Sequence, residues 1–169
     1  FATEDCYMAV ANGHQTILEW YEMEGSALGW NEAHMQRAAE NEHFHLIEWL
    51  HERGCPMDED VYLAGVRSGN VNVVIRLEAL GCPKAMRATE DAAGRGYVNM
   101  LLHLKRTLPI TGRTWESAAL QGQLHVLYTM LNEWNLNVPS AYNMMLCAAQ
   151  SGCTTTLQWL IDQGFPLPI

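Results

Sequence analysis

Residues 51 to 60, HERGCPMDED, set His51 and Cys55 among four carboxylates, Glu52, Asp58, Glu59 and Asp60. Imidazole nitrogens, thiolates and carboxylate oxygens are the ligands of zinc sites, and a thiol with a lowered pKa is a nucleophile. His43 and His45 lie just upstream, so a metal or catalytic centre built on His43, His45, His51 and Cys55 is one reading of the stretch. On a helix of 3.6 residues per turn, however, His45 and His51 fall about 120° apart and do not converge unless His43 bends back. The chain contains no H-E-x-x-H, no G-x-S-x-G and no Gly-rich phosphate loop. The expectation is a protein that is not an enzyme and carries no cofactor or metal.

The elements that hold these residues come from a repeat. AVANGHQTILEWYEMEG at 9 to 25 returns as AAENEHFHLIEWLHERG at 38 to 54. Four more copies follow: GVRSGNVNVVIRLEALG, AAGRGYVNMLLHLKRTL, AALQGQLHVLYTMLNEW and AAQSGCTTTLQWLIDQG, starting at 65, 92, 118 and 148. Their fifth residue is Gly13, Glu42, Gly69, Gly96, Gly122 and Gly152, at spacings of 29, 27, 27, 26 and 30. Small residues recur before this position and apolar residues recur four, five and eight residues after it, as in Leu46, Ile47 and Leu50. These are the faces of two amphipathic helices separated by a turn that favours a left-handed backbone.

The ends of the units are marked too. Gly25, Gly54, Gly81 and Gly164 stand twelve residues after the turn, with Pro56, Pro83 and Pro166 two further on. That order ends helices, and Asn31, Asp58, Thr111 and Ser140 are placed to cap the next ones. In this frame Cys55 occupies a slot shared with Cys82 and Phe165, which suits a buried thiol, and the 58 to 60 carboxylates open a helix. Trp20, Trp49 and Trp159, each seven after the turn, read as core or half-buried cover. A single helix pair cannot bury its apolar face alone, so the units predict one all-α domain over 1-169, a solenoid of six stacked helix-turn-helix repeats: 1-28, 29-56, 57-83, 84-110, 111-138 and 139-169.

AAENEHFHLIEWLHERGC and AAQSGCTTTLQWLIDQG resemble the second half of the ankyrin repeat, from its alanine pair to its closing glycine. The first half, T-P-L-H-x-A in ankyrin, survives mainly as an apolar residue and an alanine, as in AHMQRA and NMMLCA. The period falls short of the usual ~33 residues, leaving shortened or absent β-turn fingers. Tryptophan-marked short copies with GCP ends are similar to the divergent ankyrin repeats of large DNA viruses, amoebae and oomycetes. That resemblance implies a protein-recognition scaffold, with the first helices in a row along a concave face.

The residues varying most freely on that face are Met8, Asn12, Arg37, Glu40, Asn41, Arg67, Ser68, Asp91, Arg95, Ser117, Leu120, Gln121, Gln150 and Ser151, the candidate protein-binding set. The formal charge of −9 opposes nucleic-acid binding. Thirteen acids face Arg37 and Arg53 in residues 1 to 60, which favours a basic partner there. A basic cluster, Lys84, Arg87, Arg95, Lys105, Arg106 and Arg113, is interrupted by Glu90 and Asp91 and reads as solvated surface. Five cysteines without a C-x-x-C pair, no membrane-length apolar run and no signal-like start predict an intracellular, cytoplasmic monomer with reduced thiols, without membrane attachment. The sequence also reads as part of a longer protein. Two alternatives to a protein-binding scaffold stand: a metal or catalytic protein using the His and Cys residues, and a structural spacer between flanking domains.

Overall fold

The computed structural model describes residues 2–25 and 29–165, and all regular structure in them is helical, with no strand. No described helix is long and apolar enough to cross a membrane. The chain divides into two compact units between Ala85 and Met86. The first holds α1 Ala2–Ala11, α2 Gln15–Met23, α3 Glu32–Glu40, α4 Phe44–Glu52, α5 Glu59–Ser68 and α6 Val71–Ala79. The second holds α7 Ala88–Gly94, α8 Val98–Leu104, α9 Gly112–Leu120, α10 Leu124–Tyr128, α11 Ala141–Gln150 and α12 Thr154–Asp162. Each odd-numbered helix pairs with the next to form a hairpin. The odd helices also stack on one another, α1–α3–α5 in the first unit and α7–α9–α11 in the second.

The turn inside every hairpin has the conformation that its register requires. Gly13, Glu42, Gly69, Gly96, Gly122 and Gly152 all have positive φ, between +59° and +82°. In five hairpins the amide after this residue donates to a carbonyl five residues back: His14 to Ala9, His43 to Ala38, Tyr97 to Ala92, Gln123 to Ala118 and Cys153 to Ala148, at 2.8 to 3.1 Å. This is the Schellman closure, which satisfies carbonyls that a helix end otherwise leaves open. In the third hairpin the Asn70 amide donates to Ser68 Oγ instead, at 3.2 Å.

Caps at the start of the first helices follow side-chain chemistry. Asn31 Oδ1 accepts from the Ala33 amide at 3.1 Å, Asp58 Oδ1 from Val61 at 2.9 Å, and Ser140 Oγ from Asn143 at 3.3 Å. Thr111 differs from the sequence expectation. Its backbone amide donates to Thr114 Oγ1 at 3.1 Å, and its own hydroxyl makes no cap bond. At the other end of the units, Gly25, Gly54, Gly81 and Gly164 have positive φ, while Pro166 lies outside the described residues.

The core of the first unit includes Met35, Leu46, Ile47, Leu50, Tyr62, Leu63 and Leu77; that of the second includes Met100, Leu101, Leu104, Trp115, Leu127, Met130 and Met145. Trp49 is buried, with Trp30 edge-on at 5.3 Å and the Arg53 guanidinium 3.7 Å above its ring. Trp159 is half-buried. Trp20 departs from the expected cover role and is 55% exposed, against 6% for Trp49. Trp30 and Arg53, both from Trp49's own repeat, lie against that ring, whereas among the described residues the Trp20 ring meets the edge of Tyr21 at 5.0 Å.

Candidate functional site

HERGCPMDED resolves into a joint between repeats. Gly54 ends α4, and the Cys55 thiol donates to the carbonyl of Asn31 at 3.2 Å. Cys82 repeats the arrangement on the Asp58 carbonyl at 3.4 Å, so each thiol ties the end of one repeat to the start of its own first helix. Burial pushes the Cys55 thiol up to about 11 and the Cys82 thiol up to about 12, the reverse of an activated nucleophile.

The histidines do a comparable job. His43 Nε2 bonds the Ala11 carbonyl at 3.0 Å and His45 Nε2 bonds the Gly13 carbonyl at 3.2 Å, joining the second repeat to the turn of the first. In the second unit, Gln123 Nε2 donates to Gly94 O at 3.1 Å and His125 Nε2 bonds Gly96 O at 2.9 Å, at the same two positions of their repeat. His34 is buried, which lowers its pKa, and its Nδ1 accepts the Asn31 amide at 3.3 Å. Among the described residues no three His, Cys, Asp or Glu side chains converge as metal ligands would.

In the first unit the candidate binding residues sit along α1, α3 and α5. Met8 is exposed. Arg37 lies over the Tyr7 ring, 5.1 Å from its centre, donates to the Tyr7 hydroxyl and pairs with Glu40 at 3.0 Å. Asn12 and Asn41 donate to the Met8 and Arg37 carbonyls at 2.7 and 2.9 Å, and Ser68 donates to Gly65 O at 2.7 Å. These three close helix ends while remaining accessible or half-accessible. Arg67 is half-buried. Glu4, Tyr7 and His34, which periodicity did not single out, line a cleft of about 280 Å³ with Gly29, Asn31 and Ala33.

In the second unit four candidates come together. Asp91 and Arg95 on and just beyond α7, and Ser117 and Gln121 on and just beyond α9, surround Gly94 in a polar cleft of about 360 Å³. Ser117 Oγ donates to Glu90 O at 2.9 Å. A Cβ at position 94 would lie 2.6 Å from that hydroxyl oxygen. The other repeats carry Ala11, Glu40, Arg67, Leu120 or Gln150 at this place, so the cleft exists because Gly94 leaves it open. Leu120, Gln150 and Ser151 are exposed outside the cleft, and Ser151 Oγ donates to Ala148 O at 3.0 Å. A larger groove of about 600 Å³, lined by Leu124, His125, Tyr128 and Trp159 among others, runs between α10 and α12.

Charge separates the units. Residues 1 to 85 hold fourteen acids and five bases, while 86 to 169 hold five of each, so the first unit carries the entire formal charge of −9. No protein-family model matches the chain, and no curated protein matches it.

Proposed function

We propose that this chain is an ankyrin-like solenoid acting as a protein-interaction module, with partner contacts on the first helices of each unit. The observation carrying this reading is the clustering of Asp91, Arg95, Ser117 and Gln121, four freely varying positions, around one cleft on α7 and α9. Positions that pack the stack hold alanine or large apolar residues, and those around the cleft hold polar ones, which is how a recognition surface differs from a scaffold. The acidic first unit favours a partner with a basic surface, through faster encounter and charge complementarity.

Affinity capture on the immobilised 169-residue chain tests the reading. The double variant Arg95→Glu, Gln121→Lys is expected to lower recovery of the captured protein about tenfold or more, with the helical circular dichroism unchanged. Equal recovery by the variant and the parent would exclude this cleft as the contact. Capture of nothing by either would remove the interaction reading.

A further inference from the structure

We infer that the groove between α10 and α12, inside the second unit, binds an arginine side chain of a partner protein. Its walls include Leu124, the exposed ring of Tyr128 and the half-buried ring of Trp159, and Glu133, from the segment after α10, adds a carboxylate. No lysine or arginine is among the lining residues. Among the described residues neither ring has an aromatic or cationic partner, and the exposed Glu133 side chain has no hydrogen bond or ion pair. Two aromatic rings and a carboxylate around a space of about 600 Å³ match a flat cation carried on an apolar stem.

The first unit shows what fills such a place. Trp49 stands seven residues after its turn, as Trp159 does. Arg53, eleven after the turn, lies 3.7 Å above the Trp49 ring and takes both oxygens of Glu22 from the preceding repeat. Arg37 makes a similar set with the Tyr7 ring and Glu40. In the sixth repeat the residue eleven after the turn is the exposed Gln163, four beyond Trp159 on the same helical face. Pro139 precedes the cap Ser140 where Trp30 precedes Asn31, so the edge-on ring is replaced as well. The carboxylate of the preceding repeat is kept, as Glu133 in place of Glu22 and two residues later in its repeat. Ring and carboxylate are therefore present without the cation that joins them in the second repeat. An arginine from a partner supplies the planar charge that Arg53 supplies from within, and lysine supplies the charge without the plane. The contact uses the second helices and does not depend on the cleft at Gly94.

Nuclear magnetic resonance of the tryptophan indole N–H groups in the 169-residue chain tests it, with the Trp159 signal assigned by its loss in Trp159→Phe. The probes are end-capped pentapeptides Gly-Ser-X-Ser-Gly, with arginine, lysine, leucine or glutamate at X. The arginine peptide is expected to move the Trp159 signal and to approach saturation by about 10 mM. The lysine peptide should bind about threefold more weakly, and the leucine and glutamate peptides about tenfold more weakly. Glu133→Gln should weaken arginine binding about threefold. Gln163→Arg should weaken it about tenfold by filling the groove from within, and both exposed sites should keep the helical circular dichroism of the parent. An unmoved Trp159 signal at about 10 mM arginine peptide overturns the inference. So does equal binding by the leucine peptide, which would make the groove a seat for apolar side chains. Unchanged affinity in Glu133→Gln or in Gln163→Arg overturns it too, by breaking the correspondence with Glu22 and Arg53.

Discussion

Asn70 Nδ2 donates a 2.6 Å hydrogen bond to Glu42 Oε2, joining the turn of the second repeat to that of the third. Glu42 is the one turn residue of the six with a side chain, and it holds φ at +59°. A left-handed residue other than glycine costs about 1 kcal/mol, while an exposed hydrogen bond of this kind returns about 0.5 kcal/mol. Glu42→Gly is therefore expected to stabilise the chain by about 0.5 kcal/mol, and Glu42→Val to destabilise it by about 1 kcal/mol or more. Urea denaturation of the three proteins decides, and a loss of stability in Glu42→Gly would mean that the bond to Asn70 outweighs the left-handed strain.

Gly13 is under a different constraint. Its φ is +74°, and a Cβ there would lie 2.9 Å from Cε1 of His43. Gly13→Ala meets both penalties and should cost about 2 kcal/mol. Adding His43→Ala removes the clash and leaves the strain, so the double variant should recover part of the loss beyond the sum of the single effects. Additive behaviour in that cycle would show that the imidazole moves aside freely.

Register made the six turns readable, including Glu42, because the position is set by apolar spacing on both sides and not by the residue type occupying it. The same logic placed Cys55 and the 58 to 60 carboxylates at a joint. Periodicity is blind to which side chains settle on a ring, and so Trp20 and Trp49, identical in register, differ in exposure because Trp30 and Arg53 lie against Trp49. It is blind as well to bonds that side chains make to backbone carbonyls. His43 and His45 bond to Ala11 and Gly13, partners that leave no trace in residue type. The cleft at Gly94 was half visible: its four polar residues vary from repeat to repeat, but a missing side chain between them is noticed only when the helices are in place.

Cys55 and Cys82 make a pH-dependent prediction. Each thiol has its pKa raised from an ordinary 9.0, to about 11 and about 12, by burial first of all. A raised folded pKa means that unfolding favours ionisation once pH exceeds the unfolded value. The stabilisation is complete below about pH 9 and is lost as pH rises toward 11 or 12. Denaturation midpoints should fall across that window, and the fall should be shallower in Cys82→Ala. Thiol labelling at neutral pH should reach the half-buried Cys147 and Cys153 first and the buried Cys55 and Cys82 only with unfolding. Rapid labelling of Cys55 in the folded chain would contradict its burial.

Arg53 links two repeats by a planar group. Nε and Nη2 donate to the two oxygens of Glu22 at 2.7 and 3.1 Å, and the guanidinium lies over Trp49. Lysine supplies the charge without the fork or the flat stacking face. Arg53→Lys should therefore lose most of what Arg53→Ala loses, about 1 kcal/mol, and a cycle with Glu22→Gln should give a coupling of about 0.5 kcal/mol. Full retention of stability in Arg53→Lys would reduce the contact to simple charge.

The fifth repeat contains one residue too many, and the helix absorbs it. After α10 the chain makes a π-helical turn, Thr129–Glu133, with the Trp134 amide donating to Thr129 O at 2.9 Å, five residues back. The positive φ that the first, second, third and sixth repeats place twelve residues after the turn then falls at Asn135, thirteen after Gly122. Leu136 follows it as Cys55 follows Gly54, its amide reaching back six residues to Met130 where Cys55 reaches five to Leu50. Removing the exposed Asn132 restores the common register: Met130 stays eight after the turn, Asn135 becomes twelve after it and Leu136 thirteen. A π-turn is an insertion accommodated within an α-helix, so its deletion converts it to α-helix without opening the core. The deletion variant should stay within about 1 kcal/mol of the parent and retain its helical signal, and pairing it with Asn135→Gly should add stability at the left-handed position. A deletion variant that fails to fold would mean that the extra residue sets the packing of α10 itself.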